Sequence, residues 1–566
     1  MDEMWGEQVV KLRAEQAERG QLFEQGNYGM LICWGLYSHL ANKVDGKTYY
    51  GIGEWIKARA MANIPTDKYV EIAKDFNPVK YNAMEIAQLA KDAGMKYVLA
   101  MPKHHDGFAM YHSKAHEFNI VDATPFKRDP MKELADACNE IGIGFGFYYS
   151  HNQDWTAPGA SGGPKADEQG NPATFKDYFE KKCLPQIEEL TTKYGPIEVV
   201  WFDTPGRIPK EYVQKLVEVV RKNQPNALIS GRAGYGLGDY RTLGDMEVPH
   251  QNVDGLWESC DTINDSWAYA WYDENWKTPK QILNRLISCV GRGGTYLLDI
   301  GPRGDGSLPE RKVKILHSTG RWINRYPQVV YAVDSSPWQH ALPWGDATVK
   351  GNKLFLTVFQ WPSTGRLYLP GLKTPIRTAK LLNGDQSQPI QYRKINGWLE
   401  FHLPARAPET LASVVELELT AKPEVDSTWG VDPNIETELL VDFATVSGAV
   451  AKKQRWMEKF GEWKHVIRAY NWKPNAKAQW EVEVLTPGDY QIDLTYTGKG
   501  RVVWGVDVEG GQHIQNQQNS STVYHRYPIG WLNFPEPGRY QVSVSCLEGD
   551  LAAASLKSIH FTPIEY

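Results

Sequence analysis

The first 334 residues alternate short apolar runs with longer amphipathic segments. The short runs end at turn-forming residues, as buried parallel strands do, whereas the longer segments repeat apolar positions at helical spacing. We predict strands at 28–35, 96–101, 144–150, 197–203, 227–230 and 295–300, and helices at 1–26, 82–93, 129–140, 175–194, 210–223, 278–291 and 309–325. This alternation indicates a TIM-like (β/α) barrel of the α/β class. Only six or seven strands are recognisable, so we expect the barrel to be irregular.

The pattern changes after residue 334, where short runs are separated by glycine, proline and asparagine. Such spacing is typical of antiparallel β-sandwiches, and it resumes beyond a linker around 421–434. The later runs alternate apolar and polar residues, which suggests a jelly-roll sandwich that either binds carbohydrate or serves as a spacer. We therefore predict three domains: a barrel with an N-terminal helix at 1–334, a β-sandwich at 335–421, and a second β-sandwich at 430–566.

The predicted strand at 197–203 ends in an aromatic pair and a carboxylate, Trp201-Phe202-Asp203. A carboxylate at the C-terminal end of a barrel strand lies at the mouth of the barrel, where catalytic residues collect. Taken alone, Asp203 is more typical of a residue that caps the following turn. The rest of the chain has to decide between the two interpretations.

Composition favours a carbohydrate ligand. The 566 residues include 21 Trp, 29 Tyr and 17 Phe, and aromatic side chains in such numbers build large β cores or stack on sugars and bases. The net charge of −6, without a run of basic residues, argues against nucleic acid, which requires a basic surface. An oligo- or polysaccharide is therefore the expected partner, and the oligomeric state is left open.

Cysteine spacing and hydropathy exclude other classes of protein. The six cysteines form no CxxC pair, which excludes a zinc finger and a disulfide scaffold, and we expect neither a metal nor a cofactor. No apolar stretch reaches the about 18 residues of a membrane span, so no membrane partner is expected. The N-terminus lacks the basic and apolar regions of a signal peptide. Localisation stays open, with a secreted or periplasmic location favoured if a signal peptide has been removed.

Polar and aromatic residues follow several predicted strands, where the loops of a barrel bring side chains together. They are Glu54 and Trp55, His104 and His105, Tyr148 to His151 with Asp154 and Trp155, Arg232, and the stretch from Trp257 to Trp271. Adjacent histidines on an extended chain point in opposite directions, so they make a poor metal site but can serve sugar hydroxyls. Aromatic faces for the apolar patches of a sugar, with charged groups for its hydroxyls, predict a sugar pocket.

In this order, the motifs resemble those of the α-L-fucosidases of glycoside hydrolase family 29. The resemblance covers residues 27–310 and rests on Cys33-Trp34-Gly35, His104-His105-Asp106-Gly107-Phe108, Trp201-Phe202-Asp203, Trp257-Glu258-x-Cys260 and Gly301-Pro302. It implies a catalytic barrel followed by a β-sandwich, which agrees with the pattern of elements. It does not extend to the last part of the chain.

The resemblance implies a retaining exo-glycosidase that removes terminal α-L-fucosyl groups by double displacement. Asp203 matches the nucleophile and Glu258 the acid/base, with Glu247 and Glu54 as fallbacks for the second role. Retention requires the two carboxyl groups to lie about 5–5.5 Å apart, and the acid needs a raised pKa. The family's sugar-binding positions fall on His104, His105, Glu54, Trp55, Tyr149, Trp201 and Arg232, and Trp271 is a further candidate.

One departure from the family leaves the identity of the sugar open. Cys33 stands where the family usually has histidine, so a ring donor to the sugar is missing or is replaced by His39 or another side chain. A smaller residue there could admit L-galactose or a sulfated or substituted sugar, which makes an α-L-galactosidase-like activity the first alternative. A carbohydrate-binding protein that has lost catalysis is the second alternative, although both carboxylates are present.

Overall fold

The computed structural model describes residues 17–426, 429–456 and 464–565. The described chain forms two compact units, one built from residues up to 249 with 253–333, and the other from 250–252 with the residues from 334 onward. Residues 1–16 of the predicted N-terminal helix and residues 427–428 of the predicted linker lie outside the described residues. None of the helices described is both long and apolar enough to cross a membrane.

The first unit contains an eight-stranded, all-parallel sheet. Its strands are β1 (Tyr28–Ile32), β4 (Tyr97–Lys103), β5 (Gly144–Ser150), β6 (Val199–Asp203), β7 (Leu228–Ile229), β8 (Arg241–Thr242), β9 (Trp257–Thr262) and β10 (Thr295–Asp299), while β2 (Lys43–Val44) and β3 (Lys47–Thr48) form a separate hairpin. The order is β7-β6-β5-β4-β1-β10-β9-β8. A parallel β-bridge pairs Ser230, the residue after β7, with Tyr240, the residue before β8, so the chain also pairs between the two edge strands. The predicted TIM-like architecture is confirmed.

Helices follow most of these strands, and their ends agree with the sequence signals. They are α1 (Ala17–Gly26), α2 (Leu36–Leu40), α3 (Thr66–Ile72), α4 (Ala83–Asp92), α5 (Pro130–Ile141), α6 (Phe175–Tyr178), α7 (Leu184–Lys193), α8 (Lys210–Asn223), α9 (Pro279–Gly291), α10 (Glu310–Arg325) and α11 (Pro327–Val330). A π-helical turn, Phe179–Cys183, joins α6 to α7. Asp129 accepts a hydrogen bond from the backbone of Lys132, with Pro130 at the first helical position of α5, so cap and proline start the helix together.

Strands β8 and β9 are absent from the predicted strands, and β9 lies where the sequence predicts a loop. Its sequence, WESCDT, is mostly polar, yet all six residues are buried. Hydrogen bonds replace apolar packing: the Ser259 hydroxyl donates to the carbonyl of Glu247, and Tyr296 donates to Asp261 at 2.7 Å. A strand whose side chains are satisfied by buried partners gives no apolar run, which is why hydrophobic patterning missed it.

The second unit is all-β. Its strands are β11 (Gly345–Lys350), β12 (Lys353–Val358), β13 (Arg366–Leu369), β14 (Ile376–Asn383), β15 (Gln386–Pro389), β16 (Gln391–Ile395), β17 (Trp398–His402), β18 (Ser413–Leu419), β19 (Trp429–Val431), β20 (Thr437–Leu440), β21 (Thr445–Ser447), β22 (Val450–Trp456), β23 (Lys464–Tyr470), β24 (Lys477–Val484), β25 (Gly488–Thr497), β26 (Gly500–Val508), β27 (His513–Ser520), β28 (His525–Phe534), β29 (Gly538–Glu548) and β30 (Ser555–Pro563). Strands β11 to β18 make a five-stranded and a three-stranded sheet, and the later strands make two six-stranded sheets.

Two apolar cores identify two sandwiches within this unit. The first core includes Trp344 and Phe401, and the second includes Trp480 and Trp504, all of them buried. The prediction of two all-β sandwiches after the barrel is therefore confirmed. The separate bounds 335–421 and 430–566 stay a prediction, because the two sandwiches belong to one compact unit.

Candidate active site

Asp203 is the last residue of β6, and three donors hold its carboxylate. The Tyr148 hydroxyl donates to Oδ2 at 2.8 Å, while Arg232 Nη1 and the backbone NH of Thr204 donate to Oδ1 at 3.2 and 2.8 Å. The side chain keeps 11% of its surface exposed at the C-terminal edge of the parallel sheet. Asp203 does not cap α8, because that helix begins at Lys210 with Pro209 as its N-cap residue. These contacts favour a reacting group over a cap.

Aromatic rings stack beside this carboxylate and fix its donors. The ring of Tyr148 lies between those of His104 and Trp201, at centroid distances of 5.4 Å on each side. The guanidinium of Arg232 lies over the Trp201 ring, with Cζ 4.7 Å from the ring centroid. The two side-chain donors to Asp203 are therefore held by stacking as well as by hydrogen bonds.

His104 and His105 lie next to Asp203 as neutral imidazoles. His105 Nδ1 bonds with the Ser150 hydroxyl at 2.7 Å, and its Nε2 is 3.8 Å from Asp203 Oδ2. Burial lowers the pKa of His105 to about 4 and that of His104 well below its ordinary value. His104 Nδ1 is buried without a hydrogen-bond partner among the described residues, as expected of a group that meets a ligand hydroxyl. Within the same ranges, no group of three or more His, Cys, Asp or Glu side chains is arranged to hold a metal ion.

Asp245 is a second carboxylate at this site, and no motif or apolar pattern in the sequence points to it. It lies between β8 and β9, and its Oδ1 accepts Arg232 Nη2 at 2.6 Å, so one guanidinium bridges Asp245 and Asp203. Burial and the charge of Asp203 raise the pKa of Asp245, while Arg232 opposes the shift. Its side chain is 18% exposed. Asp245 thus combines solvent access with a pKa above its ordinary value.

Glu258 lies inside β9, not in a β→α loop as expected, and both its oxygens are occupied. Oε1 accepts Trp201 Nε1 at 2.7 Å, and Oε2 accepts the Tyr97 hydroxyl at 2.8 Å. Gly29 makes room for Tyr97, because a Cβ there would be 2.3 Å from the tyrosine ring. Burial raises the pKa of Glu258 to about 7, and the residue is 1% exposed. Its contacts are those of a group that orients Trp201 from within the barrel.

Glu54 and Trp55 follow β1, and the loop after β5 completes this side of the site. The ring of Trp55 lies 5.8 Å from His105 and 5.3 Å from Trp155. Trp155 also donates its backbone NH to the carbonyl of His105 at 2.7 Å. Glu54 accepts the backbone NH of Ala268 at 3.1 Å, and burial raises its pKa to about 8. Trp155, predicted to lie in the loop after β5, therefore packs beside Trp55 and His105.

A buried ion cluster supports the loop that carries Trp155. Asp154 Oδ2 lies 3.2 Å from Lys103 Nζ and 2.8 Å from Lys182 Nζ, and the Asp154 side chain has no exposed surface. Its Oδ1 accepts the backbone NH groups of Thr156 and Ala157 at 3.2 and 2.9 Å. One carboxylate thus connects β4, the π-helical turn and the loop.

Two predicted sugar-binding residues lie elsewhere. Tyr149 points away from the barrel interior, where its hydroxyl donates to Gln186 at 2.7 Å, because successive side chains on a strand face opposite sides. Tyr148 is the tyrosine beside Asp203. Trp271 is 50% exposed, and its backbone NH donates to the carbonyl of Ala41 at 3.2 Å. Within the described residues, the hydrogen bonds and ring contacts of Trp271 therefore do not include Asp203 or the side chains that surround it, Tyr148, His105 and Arg232.

Cys33 brings no aromatic ring of its own to the site, and Tyr37 lies next to it. The Cys33 sulfur is 3.6 Å from the Tyr37 hydroxyl, and the Tyr37 ring packs edge-on against His104 at 5.7 Å. Gly35 allows this packing, because a Cβ there would be 2.7 Å from the tyrosine ring. The Cys33 backbone NH donates to Asp299 at 2.8 Å. Tyr37 therefore provides the aromatic side chain beside His104.

Two residues considered as substitutes make contacts with residues other than Asp203. His39, considered as a replacement for the missing histidine, is exposed and packs against Phe76 at 6.0 Å. Glu247, a fallback for the acid/base, accepts the backbone NH of Gly244 at 2.9 Å within its own loop.

Comparisons with known proteins agree with this geometry. The family described as "Alpha-L-fucosidase" matches residues 6–328. Among curated proteins, the plasma alpha-L-fucosidase of Rattus norvegicus is 30% identical over 374 residues, which cover 61% of this chain and 79% of that protein.

Solved structures are similar over still more of the chain. The alpha-L-fucosidase of Vibrio sp. strain EJY3 has a TM-score of 0.77 at 28% identity, covering 97% of this chain and 98% of that one. The alpha-L-fucosidase isoenzyme 1 of Paenibacillus thiaminolyticus has a TM-score of 0.64 at 30% identity, covering 71% and 99%. The similarity to the Vibrio protein thus includes the β-sandwich unit.

Proposed function

Because this chain belongs to the α-L-fucosidase family, we propose that it is a retaining exo-glycosidase that hydrolyses terminal α-L-fucosyl linkages of oligo- or polysaccharides. The observation that carries the proposal is the Asp203 carboxylate, held at the mouth of the parallel sheet by Tyr148 and Arg232. In a double displacement, Asp203 attacks the anomeric carbon, and the glycosidic oxygen departs with a proton from a second carboxylic acid. Water then hydrolyses the glycosyl-enzyme.

We assign the acid/base role to Asp245, with Glu258 as the alternative. Asp203 and Asp245 occupy adjacent nitrogens of the Arg232 guanidinium, an arrangement compatible with the about 5–5.5 Å separation of a retaining pair. A general acid must hold a proton and reach the leaving oxygen, and the partial exposure of Asp245 and the upward shift of its pKa by burial both favour that role. Glu258 also has a raised pKa, but Trp201 and Tyr97 occupy its oxygens.

The remaining side chains divide into sugar-binding and positioning groups. His104, His105, Glu54 and Trp55 present neutral imidazoles, a buried carboxyl group and a ring to the space beside Asp203, which suits the hydroxyls and apolar patches of a sugar. Arg232 is bound to two carboxylates, so its role is to orient them. Trp201 positions Arg232 through the stack.

The proposal is tested by hydrolysis of an aryl α-L-fucoside, followed by proton NMR during the first turnovers. Retention predicts that α-L-fucose is released first and then mutarotates. Release of the β anomer would establish inversion and remove the nucleophile role of Asp203. Parallel assays with an aryl α-L-galactoside decide the sugar, since faster cleavage of that substrate would make the chain an α-L-galactosidase. Binding of L-fucose without turnover of either glycoside would favour a protein that has lost catalysis.

A further inference from the structure

Three aromatic side chains, two of them exposed and one half-buried, form a cluster on two loops of the barrel unit. Tyr50 is 78% exposed and Trp271 is 50% exposed, and Tyr272 lies between them with ring centroids 4.8 Å from Tyr50 and 6.3 Å from Trp271. A single exposed aromatic residue needs no explanation, but adjacent exposed rings mark a surface that binds something. We call Tyr50, Trp271 and Tyr272 the aromatic rim.

Hydrogen bonds hold the rim in place. The Tyr272 hydroxyl donates to the carbonyl of Gly51 at 2.9 Å and accepts the backbone NH of the same residue at 2.7 Å. Asn42 donates to the carbonyls of Tyr49 and Gly51 at 3.0 and 2.9 Å, which closes the loop that presents Tyr50. The rings are therefore presented by loops whose backbone is fixed, so little conformational entropy is lost on binding.

The two loops of the rim are linked to Glu54, a residue of the candidate active site. These loops follow β1 and β9, at the same C-terminal edge of the sheet as Asp203. Tyr50 is four residues from Glu54, so their Cα atoms are at most about 14 Å apart, a span that a short oligosaccharide bridges. The loop of Trp271 also contacts Glu54, through the backbone NH of Ala268.

We propose that the aromatic rim binds the sugar residues on the leaving-group side of the scissile bond, so that the substrate is fucose attached to a longer glycan. This inference rests on the proposed function. Flat, exposed rings stack on the apolar faces of pyranose rings, while the inner pocket, with its neutral histidines, serves the hydroxyls of the terminal sugar. A small or aryl leaving group reaches little of the rim, so the rim distinguishes glycans from simple glycosides.

The test compares two substrates that share the same terminal sugar. One is α-L-fucosyl fluoride, whose leaving group is a single atom, and the other is a trisaccharide in which fucose is attached to N-acetyllactosamine, in the isomer cleaved fastest. For Tyr50→Ala and for Trp271→Ala, kcat/KM for the trisaccharide should fall about ten-fold relative to the fluoride, as loss of one stacked ring predicts. Trp531→Ala is the matched control, because Trp531 is also 50% exposed but belongs to the second unit. For Trp531→Ala, the ratio of kcat/KM for the trisaccharide to kcat/KM for the fluoride should equal that of the wild type.

A binding measurement separates failure of this inference from failure of the proposed function. Saturation-transfer NMR with N-acetyllactosamine alone should show contact in the wild type and in Trp531→Ala, and a loss in both rim variants. If the wild type cleaves neither fucoside but shows this binding pattern, the proposed function is wrong, whereas sugar binding by the aromatic rim is supported. If it cleaves both substrates with the same ratio in all variants, and binding does not change, the inference is overturned.

Discussion

Two carboxyl groups near Asp203 differ in what they contact, and the difference separates their roles. Asp245 meets Arg232 and retains some exposed surface, whereas Glu258 is enclosed by Trp201 and Tyr97. A proton donor must approach the glycosidic oxygen, and an enclosed carboxyl group can do so only if its partners move away. The acid/base assignment therefore depends on individual contacts, which the order of motifs along the chain does not reveal.

Substitution of each residue should separate the two roles. Asp245→Ala should lower kcat/KM for a fucoside with a poor leaving group by about 10²–10⁴-fold, because the leaving oxygen loses its proton donor. Added azide should restore turnover of an activated aryl fucoside. Glu258→Gln, which preserves an acceptor for Trp201, should have a smaller effect and keep the alkaline limb of the pH profile. Azide rescue of a Glu258→Ala variant, with none in Asp245→Ala, would return the role to Glu258.

Glu54 should make the protein less stable as the pH rises. Burial raises its pKa to about 8, so the folded protein keeps a proton that the unfolded chain releases above a pH of about 4.5. The free energy of unfolding therefore falls between those two values, and Glu54→Gln, which remains neutral, should remove this part of the loss. Thermal unfolding of both proteins across this range should show the advantage of the variant growing as the pH rises. A constant difference would exclude a raised pKa.

At the scale of elements, the sequence predicts the strands that are apolar runs, but not the strand whose buried side chains are polar and satisfied by hydrogen bonds. The strands that hold Asp203 and the two histidines were predicted because they are continuous apolar runs. Strand β9 was missed because its buried side chains are satisfied by hydrogen bonds. Asp245 was missed for a related reason, since its role depends on Arg232 bridging two loops, and no local pattern carries that information. Tyr148 was passed over for Tyr149, although strand alternation relative to Trp201 would have favoured it.

The loop after β5 offers a stability prediction at the same scale. Asp154→Ala removes the carboxylate that two buried lysines share, and should lower the free energy of unfolding by about 3–5 kcal/mol because it leaves uncompensated buried charges. Urea denaturation measures this directly. Glu71→Ala is the control, since its ion pair with Lys74 is exposed and should contribute little. If both variants unfold at the same urea concentration, the cluster does not stabilise the fold.

For the molecule as a whole, the sequence predicted a barrel followed by two sandwiches, but not how closely the sandwiches are joined. Trp398 of the first packs with Leu485 of the second in a small buried cluster. Gly430 leaves room for the Trp398 ring, because a Cβ at position 430 would lie 2.3 Å from that ring. Contacts across a predicted linker are non-local, so the pattern of runs and turns along the chain does not report them.

A chain shortened to end at residue 426 should therefore lose stability in its remaining sandwich. Removal of the second sandwich exposes Trp398, which is 2% exposed in the full chain, and uncovers apolar surface that favours association. Thermal unfolding should begin at a lower temperature, and size-exclusion chromatography should show larger species. An unchanged unfolding temperature and a single monomeric peak would mean that the sandwiches fold independently.

The measurement that tests the central claim most directly is capture of the covalent intermediate. Incubation with 2-deoxy-2-fluoro-α-L-fucosyl fluoride should inactivate the enzyme with time. The fluorine at C2 slows both formation and hydrolysis of the glycosyl-enzyme, whereas the good fluoride leaving group speeds only its formation, so the covalent intermediate accumulates. Mass spectrometry of the digested protein should then find one deoxyfluorofucosyl group, on the peptide that contains Asp203. A label on another carboxylate would assign the role of nucleophile to that residue instead of Asp203. Turnover without any label, with release of the β anomer from an aryl fucoside, would contradict the retaining mechanism itself.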